Sequence, residues 1–378
     1  MAALTTEQTM IREQASAWVR EQAPVQAFRK LRDSGLPARF EPTTWAAMVE
    51  LGWTGIIVPE QYGGSGLGYL SFGIVLEQTG RQLTASPLFA SALVGATALM
   101  LGGNDEQKQA YLPKIVDGSA IFTLAVDEGT RHAPSRTALQ ATRHGAGYRL
   151  SGRKTFVLEG GAATHLIVAA RTSGSAGDTN GITLFVVPAQ VSGITRTELS
   201  MVDSRGYADI AFDAVDLASD AVLGQADAGF ALLEATLDRA RAGLGAEMLG
   251  TAARAFDMTV DYLQTRVQFG QVIGAFQALG HRAAALFTQL ELNRSCVEAA
   301  LQAIDADAAD IAELCSLSKA RTGAFLHQAS NELIQIHGGI GMTDEFDAGF
   351  SLKRARALEA TFGNQAFHRD RYATLNGF

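Results

Sequence analysis

"FQALGHRAAALFTQLELNRSCVEAALQAI", residues 276–304, places Phe276, Leu279, Ala283, Leu286, Leu290, Asn293, Val297, Ala300 and Ile304 at alternating steps of three and four. That spacing keeps one narrow seam along one side of an α-helix, the pattern of a helix laid lengthwise against its neighbours in a bundle. A further helix is predicted from about Ile311 to Ile336. It stops at "HGGIGM" (337–342), where Gly338 or Gly339 takes the left-handed conformation that ends a helix. Helical spacing also governs Thr5 to about Ile115, interrupted by "PARFEPTTW" (37–45) and the glycine-rich "PEQYGGSGLG" (59–68). Between these two regions the period switches. "HLIVAA" (165–170), "ITLFVV" (182–187) and "ADIAFDAV" (208–215) are β-branched or alternating and read as strands, with "TSGSAGDTNG" (172–181) as a hairpin tip. The order is helical bundle, β domain, helical bundle, divided as 1–118, 119–224 and 225–378.

Composition narrows the function. The chain has 378 residues, 47% of them apolar and 19% charged, enough for a large folded core. Its 31 basic and 39 acidic residues leave a net charge of −8, which offers no general attraction to nucleic acid or to an anionic membrane surface. Cys296 and Cys315 lie in helical stretches with no metal spacing. They read as buried thiols in a reducing cytoplasm, and no metal site is expected. Gln82 to Asn104 carries no charge, yet Pro87 and the interspersed Ser, Thr and Ala make it only mildly apolar. It reads as a helix buried within the protein rather than a membrane span, and the N-terminal stretch has no export-signal pattern.

"PEQYGGSGLG" (59–68), "NDEQKQAYLPKIVDG" (104–118), "RVQFGQVIGAFQ" (266–277) and "IQIHGGIGM" (334–342) occur in that order across all three domains. Together they resemble the acyl-CoA dehydrogenase family over nearly the whole chain. The resemblance implies an α+β fold with an N-terminal helical bundle, a central β-barrel-like domain and a C-terminal four-helix bundle. It also implies a flavoprotein oxidoreductase of fatty acid or steroid degradation, which uses FAD to introduce a double bond between Cα and Cβ of an acyl-CoA thioester. Electron-transfer flavoprotein is the implied acceptor. By the same resemblance Arg266, Gln268, Phe269, Phe276 and Gln277 contact the diphosphate and adenosine end of an FAD held mainly by a neighbouring subunit. Gln335, Gly338 and Gly339 match the family's Q-x-x-G-G motif, and Asn364 joins the cofactor-binding set. The chemistry agrees: a diphosphate is matched by a forked guanidinium that never loses its charge, and glycines let backbone N–H groups come close. Singly, these residues also fit plainer roles, because arginine near a helix C-terminus and glycine just beyond it are common caps.

The sequence departs from the family in the β domain and at the catalytic base. Where many members carry T-E-P-x-x-G-S-D and W-I-T or W-I-S, this chain has "VDEGTRHAPS" (126–135) and "KTFVLEGG" (154–161). Phe156 falls at the tryptophan position, Leu158 replaces a hydroxyl, and no G-S-D follows Glu128. Arg131 and His132 read as solvated loop residues. Proton abstraction from Cα needs a carboxylate. Of the two places the family keeps one, aligning Gly363 and Arg369 puts Phe362 in the first, and counting back from Arg266 puts Ala240 in the second. Glu247 is the candidate substitute, about two turns from Ala240 on the same face and about 10 Å along the axis. Asp238 points about 200° away around the helix, and Glu359 matches only if residues are inserted. All three carboxylates also fit surface or structural roles. "LKRARALEATFGNQAFHRDR" (352–371) and "VQFGQVIGAFQALGHR" (267–282) carry a narrower resemblance, to diverged small subunits of two-component enzymes of the pimeloyl-CoA or steroid-derived acyl-CoA dehydrogenase type. That resemblance implies a heterotetramer with a larger acyl-CoA dehydrogenase subunit and a bulky acyl-CoA substrate. A self-sufficient homo-oligomer with a relocated base, and a non-catalytic structural partner, are the alternatives.

Overall fold

The computed structural model describes residues 4–378. In chain order the helices are α1 (Thr6–Gln22), α2 (Val25–Ser34), α3 (Pro42–Glu50), α4 (Gly68–Arg81), α5 (Ala96–Gly102) and α6 (Asp105–Val116). Strands follow: β1 (Phe122–Ala125), β2 (Gln140–His144), β3 (Gly147–Leu158), β4 (His165–Arg171), β5 (Ile182–Pro188), β6 (Ile194–Glu198), β7 (Tyr207–Leu217) and β8 (Val222–Leu223). After them come α7 (Gly229–Thr265), a small hairpin of β9 (Val267–Gln268) and β10 (Gln271–Val272), then α8 (Gln277–Asp305), α9 (Ile311–His337), α10 (Ala348–Ala360) and α11 (Gln365–Leu375). The chain forms two compact units. One gathers the stretch up to Lys30, Tyr69–Thr84 and Arg241–Phe378; the other comprises Leu31–Gly68 and Ala85–Ala240.

The first unit is helical. Along α8 the seam read from the sequence is the covered side: Leu286, Leu290, Asn293, Val297, Ala300 and Ile304 are buried, while Phe276, Leu279 and Ala283 are half-buried. α4 and α7 approach backbone to backbone. A Cβ on Gly80 would lie 2.3 Å from the Glu247 carbonyl oxygen, and one on Gly250 would lie 1.9 Å from that of Glu77. Only glycine at both positions permits that contact. From α8, Arg294 donates to the Glu77 carboxylate of α4 at 2.8 Å.

The second unit is built on an eight-stranded sheet in the order β6-β7-β3-β2-β4-β5-β8, with β1 added in parallel beside β4. β4 and β5 are buried along almost their whole length, as their near-continuous apolar sequences require. They pair antiparallel from His165↔Pro188 to Arg171↔Ile182, so residues 172–181 form the hairpin tip. The uncharged stretch after Gln82 becomes a buried π-helical turn, Leu88–Gly95, and α5, rather than one long helix. A Cβ on Gly95 would meet that of Phe122 at 2.4 Å, so the first strand packs directly on this turn. Among the described residues no helix is long and apolar enough to cross a membrane.

Candidate functional site

α7 ends at Thr265, and the Arg266 N–H still bonds back to the Tyr262 carbonyl at 2.9 Å. The chain then reverses through the β9–β10 hairpin, with Gln271 opposite Gln268 and Val272 opposite Val267. Both turn residues have positive φ, 54° at Phe269 and 79° at Gly270. That is the twist a two-residue hairpin demands, and an unusual place for a bulky side chain. Phe269 is 90% exposed, so no burial in this chain compensates for the strained backbone.

The hairpin sits on a small apolar cluster in which Leu263, Ile273 and Ile336 are buried and Tyr262, Phe276, Leu279 and Ala283 pack around them. Ile336 belongs to the last turn of α9, so this cluster brings the R-x-x-F-G and Q-x-x-G-G segments together. His337 locks the junction. Its ring stacks on Tyr262 at 4.1 Å between centroids and lies 4.7 Å from Phe346, while Nδ1–H donates to the Leu333 carbonyl at 2.7 Å. Burial holds its pKa below the usual histidine value, against the opposing pull of that carbonyl, and this favours the neutral ring. Gly338 follows at φ 62°, ψ −136°, a conformation open only to glycine, and a Cβ on Gly338 or Gly339 would meet nothing within 4 Å.

Arg266, Gln268, Gln277, Gln335, Gly338 and Gly339 are all exposed. Among the described residues no ion pair or side-chain hydrogen bond engages the Arg266 guanidinium. The same two segments carry Val267 and Phe269 and, after α9, Ile340 and Met342, exposed apolar side chains that water does not favour. An unpartnered guanidinium, exposed glutamines and exposed glycines suit the diphosphate and adenosine end of a dinucleotide. Asn364 is not part of this group. Its side chain accepts from the Phe367 N–H at 3.0 Å and caps α11. The adjoining Gly363 carbonyl accepts from Lys319, which precedes Gln335 by 16 residues on α9, or about 24 Å.

The places that would hold a base are occupied otherwise. Phe362 has φ 53°, and its carbonyl accepts from His368 Nε2 at 3.0 Å and Arg241 Nε at 3.4 Å. Lys319 is buried, and its ammonium donates to the carbonyls of Leu358, Glu359 and Gly363 at 3.2, 3.2 and 2.9 Å. The C-terminal carbonyls of α10 are thus capped by a buried cation. Burial, helped by the nearby Arg241 and opposed by Glu359, lowers the Lys319 pKa to about 7. Glu359 turns its carboxylate to Arg356 at 2.5 Å and to His327 at 3.1 Å. Glu247 is ion-paired with Arg354 at 3.4 Å, both side chains buried, and the guanidinium carbon lies 5.4 Å from the centre of the Phe28 ring. Ala240 and Asp238 are buried.

In the sheet unit, Phe156 is 47% exposed at φ 51°, and Leu158 is buried, its carbonyl accepting from the Thr123 hydroxyl at 2.5 Å. Glu128 receives Lys154 Nζ at 2.6 Å and the N–H groups of Ala138 and Leu139 at 2.9 Å each. Lys154 is fully buried, and burial lowers its pKa despite the pull of Glu128. The reading of His132 as solvated is corrected here: its side chain is 3% exposed, and Nδ1 lies 2.9 Å from an Asp127 oxygen. The loop folds an acid and a base onto each other, and this cross-contact is invisible in a sequence that shows only two polar neighbours. Arg131 is exposed as read. The exposed groups at the α7–α9 junction fit FAD, whereas Leu158 offers no hydroxyl at its position. Among the described residues no group of His, Cys, Asp and Glu is placed to hold a metal ion. The structural roles of Lys154 and Lys319 had no signal in the sequence, where each is one lysine in a helix- or strand-like pattern.

Models of the N-terminal, middle and C-terminal domains of acyl-CoA dehydrogenase match residues 5–119, 126–215 and 227–374. The chain belongs to the acyl-CoA dehydrogenase family, FAD-dependent flavoproteins that act as oxidoreductases on acyl-CoA. It is 30% identical to "Probable acyl-CoA dehydrogenase YngJ" of Bacillus subtilis, over 97% of each chain. Two solved structures are similar throughout. One, described under "Electron transferring flavoprotein of Acidaminococcus fermentans: Towards a mechanism of flavin-based electron bifurcation", has a TM-score of 0.93 and 26% identity, covering 100% of this chain and 99% of that one. The other, the Tcur3481-Tcur3483 steroid ACAD, has a TM-score of 0.88 and 29% identity, covering 98% and 97%.

Proposed function

We propose that this chain is one subunit of a heteromeric acyl-CoA dehydrogenase, and that it lends the diphosphate clamp to an FAD held mainly by a larger partner subunit. The observation that carries the reading is a contrast. The Arg266 and Gly338–Gly339 segments are gathered and exposed and the Arg266 guanidinium has no protein partner among the described residues, whereas the Glu247 and Glu359 carboxylates are tied to arginines and the usual base positions hold Ala240 and Phe362. Bound FAD accepts the hydride from Cβ in this chemistry. This chain's part is to neutralise the diphosphate with Arg266, orient the adenosine end with Gln268, Phe269, Phe276, Gln277 and Gln335, and give close backbone approach at Gly338 and Gly339. The proton from Cα is taken by a carboxylate of the partner. The name of one similar structure, Tcur3481-Tcur3483 steroid ACAD, supports both the paired assembly and a bulky, steroid-derived acyl-CoA. That of another supports electron-transfer flavoprotein as acceptor. The functional domains of this reading are 1–118, 119–224 and 225–378, and two free thiols accord with a cytoplasmic setting.

Co-expression with the larger homologue from the same genome tests it. The chain purified alone is expected to be colourless, the pair yellow, and the pair carrying Arg266→Ala to lose flavin on gel filtration. A lone chain that is yellow, bleaches anaerobically with an acyl-CoA and loses that activity in Glu247→Gln overturns the proposal.

A further inference from the structure

The loop that departs from the family in the sheet unit has a chemistry of its own. Its two acids are turned inward: Asp127 holds His132 at 2.9 Å and the Ala133 N–H at 3.3 Å, and Glu128 holds Lys154 and two N–H groups. With Glu128 ion-paired to Lys154 and Asp127 hydrogen-bonded to His132, Arg131 and Arg136 are left at the surface. Both line one cavity of about 310 Å³, together with Gly129, Thr130, Ala133 and Glu128, whose carboxylate is held by Lys154 and two N–H groups. Among the described residues neither guanidinium has an ion pair or a side-chain hydrogen bond, and the N–H groups of Gly129, Thr130 and Arg131 reach no protein acceptor. The frame is rigid. Buried Arg171 bridges the segment, donating to the carbonyls of Thr137 and Ser135 at 3.0 Å each and to that of Asn180 at 2.8 Å.

We infer that this cavity binds a phosphate group between Arg131 and Arg136. Two like charges sharing a cavity repel each other, and an oxyanion relieves that repulsion while engaging forked donors, a threonine hydroxyl and consecutive backbone N–H groups. The cavity lies at the lower end of the range of about 300–1,000 Å³ for small-molecule sites, so it takes a phosphoryl group and its immediate neighbours rather than a whole dinucleotide. The phosphate is either a free anion or part of a coenzyme A thioester. The site does not depend on the clamp around Arg266.

Isothermal titration of the full chain with inorganic pyrophosphate, coenzyme A and 3′-dephospho-coenzyme A tests the inference, using the Arg131→Ala, Arg136→Ala double variant and Arg143→Ala as a surface control. Binding that weakens about tenfold or more in the double variant alone, with circular dichroism unchanged, is the expected result. Coenzyme A binding that pyrophosphate competes away assigns the thioester as the source, with loss on removal of the 3′-phosphate locating the contact; pyrophosphate binding alone assigns a free anion. Absence of binding at millimolar anion, or equal binding by the double variant, overturns it. Flavin retention in the assembled pair stays unchanged in the double variant, so the outcome is separable from that of the Arg266 test.

Discussion

At Arg266 the shape of the charge matters as much as its sign. A lysine there would keep the cation and lose the planar fork, and charge-assisted hydrogen bonds are worth about 1.5–3 kcal/mol each. Arg266→Lys is therefore expected to weaken flavin retention by the assembled pair about tenfold or more, read by the fluorescence of released FAD, with the stability of the lone chain unchanged because the guanidinium has no partner in it. Lys319 makes the opposite case, a charge that acts only inside the fold. Its pKa falls from 10.5 to about 7 on folding, so between those values the unfolded chain binds more protons than the folded one. The penalty is absent above the unfolded value, accrues as pH falls toward 7 and is constant below. Unfolding free energy is expected to rise with pH in that window by at most about 1.4 kcal/mol per unit. Lys319→Met should abolish this component and destabilise the chain most at high pH, where no protonation penalty offsets the loss of a donor to buried carbonyls, about 1–3 kcal/mol. Urea midpoints of both proteins at pH 6.5, 8 and 9.5 check it; parallel profiles would refute the assignment.

Among the elements, α8 was the most legible. Its seam was readable because burial on one side of a helix imposes a period of 3.6 residues regardless of what covers it. β4, β5 and β7 were readable for the corresponding reason, and the tip at 172–181 from its turn residues. The segments around Arg266 and Gly338 stood out because arginine, glycine and phenylalanine there fit no ordinary apolar stripe. The neutralised carboxylates did not stand out. Glu247 meets Arg354 across 107 positions of sequence, and no local pattern marks that pairing. The β9–β10 hairpin carries its own test. Left-handed backbone costs an L-residue about 1–2 kcal/mol, while a glycine adds about 0.4–1 kcal/mol of unfolded-state entropy, so the two effects of Phe269→Gly nearly cancel. The thermal midpoint of the lone chain is expected to move by only a few degrees. On the proposed assembly, association with the larger subunit, followed by gel filtration, should weaken, because the ring removed is 90% exposed and, among the described residues, touches only the edge of Phe276 within this chain.

For the whole molecule, the division into two units was beyond the sequence. A unit assembled from the N-terminal stretch, Tyr69–Thr84 and Arg241–Phe378 is discontinuous, and periodicity reports the type of an element without reporting its company. The same distinction separates what this chain offers from what it lacks. The features that fit FAD lie in the helical unit, at the junction of α7, the hairpin and α9; the sheet unit carries Leu158 where a hydroxyl is needed and a loop whose acids are internally paired. The proposed division of labour, in which this chain clamps a flavin that its partner houses, implies a fixed ratio in the assembly. On that proposal each pair of unlike chains should carry one FAD, the larger subunit supplying the ring pocket and this chain the clamp. Native mass spectrometry of the pair, with flavin counted independently from absorbance near 450 nm, measures that ratio. One flavin per chain would mean that the sheet unit houses a ring despite Leu158, and the division of labour proposed for the two subunits would have to be abandoned.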